Sequence, residues 1–349
     1  MSKSQAKRAK IVEVGDVSYI VDQNTGEMVE VLQDKTSTGR VRPWAKHKAS
    51  NLELEDIYRD IGGNHFDSKA DRLHGCGAQL EFAPVKDDKG NIIRMRVIKT
   101  NSCHVRLCPI CGWRRSLKVQ GHTTKIIESL DPSYEYLLLT LTVPNCKAHQ
   151  LKAMITLLLT AFNRLSKYKA FVKVVRGWYR GLEVTHNVNP YSKSYDTYHP
   201  HIHIILVVDK SYFKHDYIKQ EDWLKMWQKA TGDPTITQVD IRKIRPKKGT
   251  NNIRGAVCET AKYTVKSDDY IVKDRQLSID AVKTLDEALA GRRLVAYGGV
   301  MKDAHKALNL DDETDGDLTN VSGDVIGDAD PSETICYYYH IGYGQYVKK

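Results

Sequence analysis

Three groups of residues have the types and spacing for chemistry. In Tyr198-His199-Pro200-His201-Ile202-His203, which runs into the apolar stretch Ile204 to Val208, two histidines stand two positions apart. Residues two apart on a strand share a face, so His201 and His203 project together while Ile202 and Ile204 turn to the core. Leu182-Glu183-Val184 places a carboxylate between apolar neighbours on the preceding strand-like run. Such a carboxylate is hard to explain as ordinary surface and is a natural third ligand for a divalent ion. A lone strand histidine is usually structural, whereas the pair beside an inward Glu tips the balance to ligation. Two His and one carboxylate also serve non-haem iron oxygenases, so the ligand set alone leaves the reaction open.

The second group is cysteine-rich. Cys103-His104-Val105-Arg106-Leu107-Cys108-Pro109-Ile110-Cys111 contains a Cys-x-x-Cys knuckle, and Cys76 lies upstream in His74-Gly75-Cys76-Gly77. Four soft ligands satisfy a tetrahedral zinc ion, and Cys76, Cys103, Cys108 and Cys111 supply them, with His74 and His104 as alternatives. A set of buried thiols or a redox pair is the blander reading; the Pro inside the knuckle and the Gly after it favour metal. Arg114, Arg115 and Lys118 follow directly, on a basic helix spanning Cys111 to Leu130. A zinc-fixed turn would present them to phosphates, although a merely solvated helix face explains them as well. Arg106 within the cysteine segment, and Arg245, Lys247 and Lys248 in the loop Arg245-Pro-Lys-Lys-Gly249, are further candidate DNA contacts.

The third group lies on a predicted helix, Asn252 to Lys266. Glu259 and Tyr263 are four apart and Tyr263 and Lys266 three apart, so all three share a face. A phenol is a poor nucleophile unless a metal or cation stabilises its anion. Taken alone, this stretch reads as an ordinary amphipathic helix.

The elements that would position these groups follow from pattern. Ile11 to Leu32 alternates as a hairpin turning at Asn24-Thr25-Gly26, and Gly39 to Asn51 reads as a basic linker. Tyr134 to Val143 is a buried strand, Leu151 to Phe171 an amphipathic helix, and Gly177 to His186 with His201 to Val208 an antiparallel hairpin. Tyr212 to Ala230 reads as a helix, Thr235 to Ile244 as a strand, Arg275 to Leu308 as helical with a Gly interruption, and Ile335 to Val347 as one edge strand. The fold class expected is α+β: a central antiparallel sheet covered by helices, plus an N-terminal zinc module. The expected divisions are 1–70, a hairpin and linker; 71–130, the zinc-binding module; and 131–275, the catalytic domain. They continue with 276–310, a helical segment; 311–333, an acidic linker; and 334–349, a terminal strand.

Composition narrows the partners. Lys and Arg total 53 against 43 Asp and Glu, a formal charge of +10. Asp311 to Asp330 holds eight carboxylates and no Lys or Arg, so the remainder carries +18. A basic body suits a polyanion, since each neutralised phosphate releases counterions, although solubility alone also calls for charge. Nineteen Tyr against five Phe favours rings with a polar tip at solvated grooves. No run approaches the roughly 18 apolar residues of a membrane span, and the polar, basic start lacks the apolar core of a signal peptide. A cytoplasmic location with no membrane partner is expected. The absence of a Gly-Lys-Ser or Gly-Lys-Thr loop disfavours an ATP-driven motor.

Together these motifs resemble the replication initiators of rolling-circle plasmids, in the HUH endonuclease superfamily. Leu139-Thr-Leu-Thr-Val-Pro-Asn145 is similar to that family's first motif, His199 to His203 to its second and Lys262-Tyr263-Thr-Val-Lys266 to its third. Cys108-Pro-Ile-Cys111-Gly-Trp-Arg-Arg115 resembles a segment of its single-tyrosine staphylococcal and bacillus branch. The resemblance implies that His201, His203 and Glu183 bind Mg²⁺ or Mn²⁺, that Tyr263 attacks DNA, that Glu259 activates water at termination and that Lys266 assists at the phosphate. It leaves open which of His199, His201 and His203 ligate. The partners it implies are plasmid origin DNA, duplex and extruded single strand, and a host helicase; a homodimer is a further candidate.

Overall fold

The computed structural model describes residues 11–15, 17–22, 25–36, 38–245, 257, 267–312, 316–321 and 329–349. The chain forms two compact units, one of residues 1–113, 318–320 and 324–349 and the other of 114–317 and 321–323. The division falls inside one helix, α3 (Pro109–Ser129). Fold class is therefore mixed, with two antiparallel sheets in place of the one expected.

In the first unit, alternating apolar residues form β1 (Ile11–Val14), β2 (Val17–Val21), β3 (Met28–Val31), β4 (Gln79–Lys86) and β5 (Ile92–Thr100). The tail adds two more, β11 (Ile335–His340) and β12 (Gln345–Lys348), and the order is β1-β2-β3-β12-β11-β4-β5. The tail thus supplies two interior strands, not one at an edge. Tyr346 of β12 is buried, and its hydroxyl donates to the carbonyl of Gly77 at 2.5 Å. The supposed linker is also structured: α1 (Trp44–Ile61) begins inside it, and α2 (Asn64–Gly75) follows after Gly62 and Gly63, both at positive φ. Trp44 anchors α1 by donating its indole N–H to buried Asp34 at 2.7 Å and packing edge-on against Trp113. In sequence the basic residues of 39–51 mask the helical spacing of Leu54, Ile57, Tyr58 and Ile61.

The second unit is built on β6 (Glu135–Thr142), β7 (Val175–His186), β8 (Tyr198–Val208), β9 (Asp240–Lys243) and β10 (Val295–Gly299), in the order β10-β7-β8-β6-β9. Leu137, Leu139 and Leu141 of β6 pair with Leu206, Ile204 and Ile202 of β8, all buried. The amphipathic helix α4 (Ala148–Leu165) packs on β8, on α6 (Gln220–Thr231) and on α7 (Arg275–Leu289), burying Leu151, Ile155, Leu158 and Phe162. α5 (Lys169–Val174) leads into β7, and α8 (Val300–Ala307) follows β10. β10 corrects the helical reading of Arg275 to Leu308: the chain turns at Gly291 (φ 64°) and returns as an edge strand on β7. Its run is too short to announce itself, and the pairing that makes it a strand is distant in sequence. Among the described residues no helix is long and apolar enough to cross a membrane.

Interior strands are held on both sides, so losing them exposes two new edges. A chain truncated after Thr334 is expected to lose hydrogen-exchange protection in β3, β4 and β5 while β6 to β8 remain protected. Unchanged protection in β4 would contradict this sheet order.

Candidate metal centres

On the second unit's sheet, Glu183 lies opposite His201, and Gly181 opposite His203, in the β7–β8 register. On the other side Thr140 and Thr142 of β6 oppose His203 and His201. Alternation therefore sends Leu139, Leu141, Ile202 and Ile204 to one face and Thr140, Thr142, Glu183, His201 and His203 to the other. Glu183 Oε2 is 3.3 Å from His203 Nε2 and 3.6 Å from His201 Nε2. The three ligand atoms lie within 4.8 Å of one another. The far ring nitrogens are engaged elsewhere: His201 Nδ1 is 3.1 Å from the His199 carbonyl oxygen, and His203 Nδ1 is 3.2 Å from Thr140 Oγ1. Glu183 is buried and the histidines are half-buried, so one side of the trio is open.

His199 stands apart from this trio. Its Nε2 meets Thr142 Oγ1 and its ring stacks on His201 with centroids 5.0 Å apart. Burial, reinforced by the His201 charge, holds its pKa below the ordinary imidazole value. The converging imidazoles are His201 and His203. Two nitrogens and one oxygen fit a divalent cation and leave coordination positions for oxygen ligands.

In the first unit Cys76 follows the end of α2, Cys103 follows β5, and Cys108 and Cys111 flank the start of α3. Their sulfurs are 3.6 Å (Cys76 to Cys108), 3.7 Å (Cys76 to Cys111) and 3.7 Å (Cys103 to Cys111) apart. A tetrahedral site with metal–sulfur bonds near 2.3 Å has an edge of about 3.8 Å, so the spacing fits a four-thiolate metal. It is far too long for a disulfide. His74 lies outside the cluster, its Nδ1 3.1 Å from Glu55 Oε1. His104 also lies outside the cluster. Burial pushes the Cys108 thiol well up, and hydrogen bonding with Cys103 does the same to Cys76.

Two residues of α1 complete this centre, and sequence reading missed both because they fall in the supposed linker. Lys48, 2% exposed, donates to the carbonyls of His74 (2.9 Å) and Cys76 (2.8 Å) and to Asn51 Oδ1 (3.1 Å). Asn51 in turn donates to Cys108 Sγ at 3.4 Å. Burial lowers the Lys48 pKa, while the sulfurs of Cys76 and Cys108 push it back up. A buried ammonium needs negative charge beside it, and thiolates holding a metal would provide that.

The expected DNA contacts fare unevenly. Arg114, Arg115 and Lys118 are buried, not displayed on a solvated face. Arg115, Lys118 and His122 fall at helical spacing on the stripe of α3 that also buries Val119 and Ile126. Lys118 forms an ion pair with Asp311 and donates to the Asp317 carbonyl at 3.0 Å, and His122 Nε2 is 3.4 Å from Asp311. The beginning of the acidic stretch is thus folded onto α3, where a solvated linker was expected. Arg106 is half-buried and Arg245 exposed. Lys247, Lys248, Glu259, Tyr263 and Lys266 lie outside the described residues.

The family model described as Replication protein (Rep_1) matches residues 94–347. A "Protein rep" of Bacillus amyloliquefaciens is 36% identical over 340 residues, covering 91% of this chain and 97% of the relative. Another "Protein rep", of Lactiplantibacillus plantarum, is 36% identical over 302 residues, covering 84% and 90%. A third, of Lentilactobacillus hilgardii, is 35% identical over 307 residues, covering 85% and 92%. No solved structure matches. The histidine pair, the cysteine knuckle and these similarities over nearly the whole chain agree: it belongs to the Rep_1 replication proteins, the initiators of plasmid rolling-circle replication.

Proposed function

We propose that the protein binds the double-strand origin of its plasmid and nicks one strand by tyrosine attack. The observation that carries this reading is the convergence of Glu183, His201 and His203 on one open face. Mg²⁺ or Mn²⁺ held there would polarise a non-bridging oxygen of the scissile phosphate. The Tyr263 hydroxyl loses its proton and attacks phosphorus in line; the P–O3′ bond breaks and the 3′ oxygen takes up a proton. The products are a free 3′-OH primer and a 5′-phosphotyrosine ester. Bond energy is retained in the ester, so later strand closure needs no ATP, in keeping with the missing phosphate loop. A host helicase would unwind the duplex. Lys266 would assist at the phosphate, and Arg106, Arg245, Lys247 and Lys248 would contact the backbone. Thiolate softness assigns Zn²⁺ to Cys76, Cys103, Cys108 and Cys111, and the harder His–carboxylate set to the catalytic ion.

Incubation with supercoiled plasmid carrying the cognate origin should yield nicked DNA bearing covalent protein, only with Mg²⁺ or Mn²⁺ present. Tyr263→Phe should keep origin binding and form no adduct; an adduct mapped to another tyrosine would refute the assignment. Glu259→Ala should nick normally yet run past the origin into multimeric single strands, since a general base typically contributes about 10²–10⁴ in rate. Unit-length circles from that variant would leave Glu259 a helix-surface residue. Elemental analysis should find zinc in the purified protein and lose it in Cys108→Ser, whereas Glu183→Gln should keep zinc and abolish nicking.

A further inference from the structure

We infer that Thr140 is the positioning residue of the Glu183–His201–His203 centre: its hydroxyl holds the His203 ring so that Nε2 faces the cation. The inference deepens the proposed function and rests on that centre's binding a divalent ion.

In Leu139-Thr140-Leu141-Thr142 the leucines are buried in the core, which leaves both threonines on the histidine face. A half-buried strand position accepts valine as readily as threonine, so packing alone does not require a hydroxyl there. The hydroxyls have partners. Thr142 Oγ1 donates to the Val143 carbonyl at 3.0 Å and so accepts from His199 Nε2, which keeps that imidazole off the trio. Thr140 Oγ1 lies 3.2 Å from His203 Nδ1, directly across the β6–β8 pairing.

For Nε2 of a histidine to hold a cation, the ring proton must sit on Nδ1 and have an acceptor. The two ligands meet this need differently. His201 Nδ1 faces the backbone carbonyl of His199, an acceptor no substitution can remove. His203 relies on a side chain. It is also the more exposed ligand, its side chain 33% accessible against 12% for His201, so water competes for its ring nitrogens. Of the two imidazoles, His203 is therefore the one whose tautomer and tilt depend on the residue at position 140.

The test is calorimetric titration of Mn²⁺ into the full-length protein, its Thr140→Val and Thr140→Ser variants, and a Glu183→Gln control, with melting curves recorded in chelator. Valine keeps the shape and removes the hydroxyl; serine keeps the hydroxyl. Loss of such an outer partner typically weakens metal binding about 10–100-fold. Thr140→Val should show that loss, Thr140→Ser should restore affinity, and both should melt with the parent. Equal affinity of Thr140→Val and the parent would overturn the inference, as would equal weakening by both substitutions, which would mark a packing role. If the parent and Glu183→Gln bind Mn²⁺ alike, the reading of the centre itself fails.

Discussion

The register between β7 and β8 is the constraint on which the Glu183–His201–His203 face depends. Side chains alternate with period two, so a slip of one residue would carry Glu183 to the face opposite His201 and His203. The same slip would expose Leu182 and Val184, which are buried. Core burial therefore enforces the chemistry: the apolar positions that bind the sheet to α4 are interleaved with the polar ones that form the trio. β6 extends this logic to a third strand, setting Leu139 and Leu141 against Ile204 and Ile202 while Thr140 and Thr142 meet the histidines. Only one register satisfies both faces at once.

Local rules make both candidate metal centres legible in the sequence. His201-Ile-His203 and Leu182-Glu183-Val184 state their geometry through alternation, and the Cys108 to Cys111 knuckle states its own through ligand type. What the sequence conceals is set by partners far away in the chain. Lys48 looks like one more surface cation until α1 brings it beneath Cys76. β10 is read as helix because its strand character exists only in its pairing with β7. Arg115 and Lys118 advertise a phosphate contact, yet their spacing also matches the buried stripe marked by Val119 and Ile126, and that second pattern prevails. Tyr263 and Glu259 lie outside the described residues, and their roles rest on the motif.

Charge is distributed less simply than the net +10 implies. Part of the basic surplus is internal: buried Lys48 donates to the carbonyls of His74 and Cys76, and buried Lys118 pairs with Asp311. A buried cation committed to a partner within the fold contributes little to counterion release on a polyanion. Exposed basic groups such as Arg245 are the ones free of that commitment to the interior. The acidic stretch, part of it folded onto α3, is a structural partner as well as a reservoir of negative charge.

The position of β11 and β12 between β3 and β4 has a consequence for biosynthesis. Five strands of that sheet are encoded before residue 101 and the remaining two after residue 334. At about 5–20 residues per second, translation separates them by roughly ten to fifty seconds. During that interval β3 and β4 each lack one of their two partners, and the Gly77 carbonyl beside Cys76 lacks the Tyr346 hydroxyl. The intervening residues encode the unit that carries the trio, which has all its own strands before β11 emerges. Folding order on the ribosome thus runs from the middle of the gene outward, and the four-cysteine centre receives its last support only after β12 is made.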